Sequence, residues 1–244
     1  MIEPASICAV DGLPPGAKSG WGPYLCPMNN EQAVEPVSFH FALRTAAKVI
    51  SYIFHPLFVP VYFGWFLIYV LRLFPALDPS QKGLRLLQFF VNYTMFPLAI
   101  VLLAKALGFI QTIYLKTQKD RIIPYVAIMI FYFWMWYVSK NLGDFPKESV
   151  VFSLAVFLAT CLGVFFNTYF KVSMHALSMG VIIAWFFIFS FNSNINFGPY
   201  LSIALLIAGL VCTARLINSD HRPFEVYAGL LLGALAQIIA WIFI

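Results

Sequence analysis

Seven apolar runs separated by short polar connections fill the chain after residue 50, and no other feature limits the fold so sharply. They cover about 50–74, 86–110, 123–139, 149–170, 175–192, 199–217 and 224–244. A helix needs roughly 20 apolar residues to cross a bilayer core, and these runs approach or exceed that length. A soluble domain carries about 25% charged residues. This chain of 244 residues carries 10%, with 61% apolar residues and a mean hydropathy of +0.84. No water-facing exterior can be assembled from that composition. The runs also lack the inside–outside alternation of a membrane barrel. The sequence predicts an all-α, polytopic integral membrane bundle of about seven transmembrane helices. It excludes a soluble enzyme, a secreted disulfide scaffold and a disordered chain.

Residues 1–40 read differently. The first 38 hold six of the fifteen prolines and four of the fourteen glycines, without a long apolar run. They lack the basic start and apolar centre of a signal peptide and are expected to form a poorly ordered or surface arm. Residues 41–85 are expected to form the first transmembrane helix and its connection, and 86–244 the remaining six spans. The four cysteines, Cys8, Cys26, Cys161 and Cys212, show no CxxC spacing. No histidine pair has HxxxH or HExxH spacing, so neither a metal nor any other cofactor is expected. The net charge of +5 suits anionic lipid or an anionic substrate, and nucleic acid is not an expected partner.

Only six acids follow residue 50: Asp78, Asp120, Asp144, Glu148, Asp220 and Glu225, all in or beside connections. Charge at mid-membrane costs about 2.5–3.5 kcal/mol on insertion scales. Spans so poor in charge argue against a transporter. The connections divide by parity into two sides. One side takes 111–122, 171–174 and 218–223, and gathers Lys116, Lys119, Arg121, Lys171, Ser173, His175, Arg215, His221 and Glu225. The other takes 75–85, 140–148 and 193–198, which are ordinary turn material. Two histidines, several cations and a carboxylate at one surface suit phosphoryl transfer. Cations and donors match the charge developing on phosphoryl oxygens. One imidazole can attack phosphorus and a second can protonate the leaving oxygen.

The stretch Arg215-Leu-Ile-Asn-Ser-Asp-His221-Arg-Pro-Phe-Glu225 resembles the third signature, SRxxxxxHxxxD, of the type 2 phosphatidic acid phosphatase (PAP2) superfamily. Ala214 stands for its serine and Glu225 for its aspartate. The following VYAGLLLG is similar to the family's last helix. Val172-Ser173-Met174-His175 matches PSGH in part. Lys116-Thr-Gln-Lys119-Asp-Arg121-Ile-Ile-Pro124 carries the cations and proline of KxxxxxxRP at altered spacing. The resemblance spans about 86–244 and implies a six-helix phosphatase-like core that hydrolyses a lipid phosphomonoester or pyrophosphate, of isoprenyl or glycerolipid type. By it, His221 is the nucleophile, Glu225 its orienting carboxylate and His175 the general acid. Arg215, Arg121, Ser173, Lys116 and Lys119 hold the phosphate. Expected partners are membrane lipids and the lipid phosphate. The expected place is a bacterial inner membrane, with the site facing outward.

Plainer readings stand beside these. His221 alone reads as a turn residue, and Ser173 as the N-cap of a helix holding His175. Lys116–Arg121 reads as a topology determinant, and Lys171 as a snorkelling anchor. His55, before Pro56 in the first span, reads as a kink contact, and the aromatic run Phe131–Tyr137 as lipid-facing packing. The competing function is a catalytically degenerate protein that binds anionic lipid or a partner.

Overall fold

The computed structural model describes residues 39–110, 118–192, 195–218 and 221–244, and for 118–121 the backbone. The arm, residues 1–38, and Lys116 lie outside the described residues. Every regular element described is helical: α1 Phe41–Ile53, α2 Val59–Trp65, α3 Pro79–Phe90, α4 Phe96–Ala106, α5 Gln118–Asn141, α6 Lys147–Asn167, α7 Met174–Asn192, α8 Gly198–Ile217 and α9 Pro223–Phe243. Two π-helical turns, Phe66–Val70 and Val91–Met95, continue α2 and join α3 to α4. Among the described residues, six stretches are long and apolar enough to cross a membrane: Pro79–Ala106, Ile122–Asn141, Lys147–Asn167, Met174–Asn192, Gly198–Ile217 and Pro223–Phe243. The polytopic helical bundle follows, with boundaries within a few residues of expectation for the last five. The second span begins earlier than expected, because Asp78 and Pro79 start α3 and Gln81 bonds back to the Asp78 amide.

The first expected span is corrected. Residues 50–74 do not form one helix, because Pro56 lacks an N–H and disfavours helical backbone at His55. Helix α1 stops at Ile53, the chain turns through His55–Phe58, and the apolar helix of Val59–Val70 resumes. His55 nevertheless lies at one end of the bundle and Phe74 at the other, where its ring meets Phe145 at 6.0 Å. The broken segment therefore runs from one end of the bundle to the other, but its Val59–Val70 helix is shorter than the six membrane-length ones. Beside Phe74, Arg85 pairs with Asp144 and lies 4.1 Å from the centroid of Phe145. Lys147 over Trp241 and Lys140 over Trp136 give this end further cation–π contacts.

The core is aromatic. Trp185, fully buried, packs on Phe63 at 4.7 Å and Phe189 at 4.3 Å, and its indole N–H donates to the Glu148 carbonyl. From the aromatic run, Tyr132 and Met135 are buried, whereas Trp134 and Tyr137 face outward. The closest helix pair is α7 with α9. A Cβ added at Gly180 would lie 2.0 Å from the Leu230 carbonyl oxygen, and one at Gly233 2.0 Å from that of Leu177. Small residues let backbones meet where packing, and not water exclusion, holds helices together. At the end of that seam, a Cβ on Gly229 would lie 2.7 Å from the Ser173 carbonyl oxygen. This crossing carries the start of α7 onto the start of α9.

Candidate functional site

His221 sits just before α9, and Glu225 lies in its first turn, where a carboxylate is favoured by the positive end of the helix. His221 Nδ1 meets Glu225 Oε2 at 2.8 Å, with side chains only 3% and 15% exposed. The same oxygen accepts the Arg222 amide at 3.3 Å. In the neutral ring a carboxylate on Nδ1 puts the proton there and leaves Nε2 as the nitrogen with a lone pair. Glu225, one methylene longer than the signature's aspartate, reaches the ring from the first turn of α9.

Ser173 reaches this pair through the backbone, its amide donating to the Glu225 carbonyl at 3.3 Å. Ser173 does occupy the N-cap position of α7, with its carbonyl accepting the Leu177 amide. Its hydroxyl does not cap. It is fully buried and has no hydrogen-bond partner among the described residues. Leaving a buried hydroxyl unsatisfied costs about 1–3 kcal/mol, a cost that sites built for a polar ligand carry. Met174, which stands where the resembling signature has glycine, lies over Gly163 of α6, its Sδ and Cε 3.3 Å from a Cβ built there. Its bulk occupies the α6–α7 groove.

His175 lies in the first turn of α7. Its Nε2 contacts the Ser51 carbonyl at 3.0 Å, and since a carbonyl only accepts, Nε2 carries a proton. Ser51 is buried on the face of α1 that packs on α8, and its hydroxyl accepts from the Asn218 side-chain amide at 3.3 Å. Arg215, half-buried in the last turn of α8, lies within electrostatic reach of His55 and His175. His221 and His175 are likewise within electrostatic reach of each other. The structure thus brings together His221, Glu225, Ser173, His175 and Arg215. Lys171 is half-buried in the adjoining connection. Lys119 and Arg121 belong to the start of α5, at the end of the bundle where α7 and α9 also begin, and their side chains lie outside the described residues.

Sequence reasoning missed the part played by α1 and the break after it. Ser51 gave no signal at all. His55 gave one, a histidine before proline, and its kink role is real: Nδ1 accepts the Leu57 amide at 3.3 Å. The ring also stands edge-on to His175, with centroids 5.3 Å apart. Burial, and secondarily the Arg215 charge, hold the His55 pKa below the ordinary 6.5, so its imidazole is neutral at pH 7. No group of three His, Cys, Asp or Glu side chains suited to a metal occurs among the described residues. Comparison with protein-family models, curated proteins and solved structures returned no match.

Proposed function

We propose that this protein is a membrane-embedded lipid phosphatase of the PAP2 type, acting on a lipid phosphomonoester or pyrophosphate through a phosphohistidine. The observation that carries the reading is the His221–Glu225 pair, in which the neutral imidazole holds its proton on Nδ1 and keeps the Nε2 lone pair, in a site shared with Arg215, Ser173 and His175. In the first step the Nε2 lone pair attacks phosphorus and the bond from phosphorus to the lipid oxygen breaks. His175 gives that oxygen a proton. This requires the imidazolium form: with Nε2–H committed to Ser51, the Nδ1 proton is the one delivered and the neutral Nε2–H tautomer remains. In the second step water attacks phosphorus, the P–N bond breaks, the water's proton returns to His175, and phosphate leaves. Arg215 offers a forked guanidinium to the phosphoryl oxygens. No metal is required by these steps. The site belongs, on this reading, to a bacterial inner membrane protein and faces outward.

The other reading, a degenerate relative that binds anionic lipid or a partner protein, draws on the altered spacing of Lys116, Lys119 and Arg121. Phosphate release separates the two. Purified protein with a chelator present should release phosphate from phosphatidic acid or an isoprenyl phosphate, and His221→Ala should not. Binding without release by the wild type would favour the degenerate protein.

A further inference from the structure

The phosphatase reading uses two histidines and leaves the third at this end of the bundle without a task. We propose that His55 is a phosphate-binding residue of the site, a neutral imidazole whose Nε2–H donates to a phosphoryl oxygen beside Arg215 and His175. The proposal rests on the phosphate-handling reading above. It adds to the site a segment that lies before residues 86–244.

The tautomer follows from local geometry. The Leu57 amide donates to His55 Nδ1, so the proton of the neutral ring is on Nε2. Among the described residues no hydrogen bond uses that Nε2–H. The ring is aimed by a braced turn and is not at the end of a loose loop. The Phe58 and Val59 amides donate to the His55 carbonyl at 2.8 and 3.2 Å. Thr94 donates to the Leu57 carbonyl at 2.7 Å, and the Tyr62 hydroxyl to the Ile53 carbonyl at 3.1 Å. The surroundings already favour an anion: the Arg215 charge reaches the ring and His175 lies edge-on to it. A turn alone does not need histidine. Asparagine would accept the Leu57 amide as well, through an Asx turn. The imidazole adds a second nitrogen on the far side of the ring, and that nitrogen is the one left over.

This distinction supplies the test. His55→Asn keeps an acceptor for Leu57 and loses the distant donor. His55→Gln keeps a donor near the Nε2 position and loses the short acceptor. The full chain in phosphatidylcholine nanodiscs is titrated with inorganic phosphate, and separately assayed in discs containing phosphatidic acid. The two arms tell a soluble anion from a lipid headgroup. His55→Asn should weaken phosphate binding, and raise KM for phosphatidic acid, about 10- to 100-fold, the range for losing one hydrogen bond to a charged group. Its kcat should change less, and His55→Gln should stay within a few-fold of wild type. Phosphate should also shift the His55 ring nitrogen resonances of the ¹⁵N-histidine-labelled wild type, a readout that does not depend on any variant folding. Unchanged resonances, wild-type affinity in His55→Asn, or no binding of either probe by wild type would each overturn the proposal. Weakened binding in His55→Asn without turnover in the wild type would uphold it and remove the phosphatase reading. Turnover in the wild type with an unaffected His55→Asn would do the reverse.

Discussion

His175 Nε2 donates to the backbone carbonyl of Ser51 across 3.0 Å, joining the first turn of α7 to a residue 124 positions earlier. The bond fixes the tautomer of a proposed general acid from a helix that no signature includes. A backbone carbonyl is an acceptor that no substitution at Ser51 removes directly, so the orientation of His175 depends on α1 staying seated on α8. The Asn218–Ser51 hydrogen bond ties α1 to the end of α8 at the same point.

The role of His175 is tested by leaving group. His175→Ala should lower release from a lipid phosphate by about 10²–10⁴-fold, the usual worth of general acid catalysis. An aryl phosphate, whose leaving oxygen needs no proton, should lose far less. Equal losses on the two substrates, measured as initial rates of phosphate release, would remove the assignment.

Glu225→Gln keeps size and hydrogen bonding but removes the charge opposite the His221 imidazole. It should lower kcat between about 10-fold and 10⁴-fold, the span seen when a carboxylate behind a working imidazole is lost. KM should move little, and melting should stay near that of wild type. His221→Ala should abolish turnover on both lipid and aryl phosphates.

The α7–α9 seam predicts a sharp contrast among glycines. Gly233→Ala and Gly180→Ala would each drive a methyl against a carbonyl oxygen, at 2.0 Å before relaxation. Overpacking of this kind costs about 1–3 kcal/mol or more. Gly209→Ala, with nothing within 4 Å of the new carbon, should be tolerated and serves as control. Thermal unfolding in nanodiscs reads the difference. Activity should fall with the seam variants even below their melting temperatures, because the seam seats Ser173 against α9.

Stability should depend on His55 at mildly acidic pH. Burial, with Arg215 adding to it, depresses the folded pKa below the unfolded value of 6.5. Between those two values the unfolded chain binds more protons, so stability is fully present above pH 6.5 and falls as pH drops toward the folded pKa. Melting temperatures from pH 7.5 to pH 5 should decline for wild type and decline less for His55→Gln. Parallel curves would show that His55 does not contribute.

Membrane orientation can be read with single cysteines in a cysteine-free background. An outward-facing site requires an impermeant reagent on intact cells to label position 222 and spare position 142. The reverse pattern would turn the site to the cytoplasm.

The sequence by itself determined the fold class, because 61% apolar residues in runs of membrane length leave no soluble alternative. It also determined which of these residues share one end of the bundle, since two spans separate each connection from the next and parity alone groups Ser173, His175, Arg215, His221 and Glu225. The His221–Glu225 pair was legible for a local reason: residues four apart share a helix face once Pro223 starts the helix. Tertiary structure decided the rest. Pro56 divides what hydropathy reads as one span, since apolar character is indifferent to a missing N–H. Ser51 and His55 joined the site through α1 packing on α8 and a turn braced by Thr94, contacts across 37 to 124 positions that no local pattern encodes. Gly180, Gly229 and Gly233 look ordinary in an apolar run, and only the paired helix reveals that backbone contact along α7 and α9 requires them.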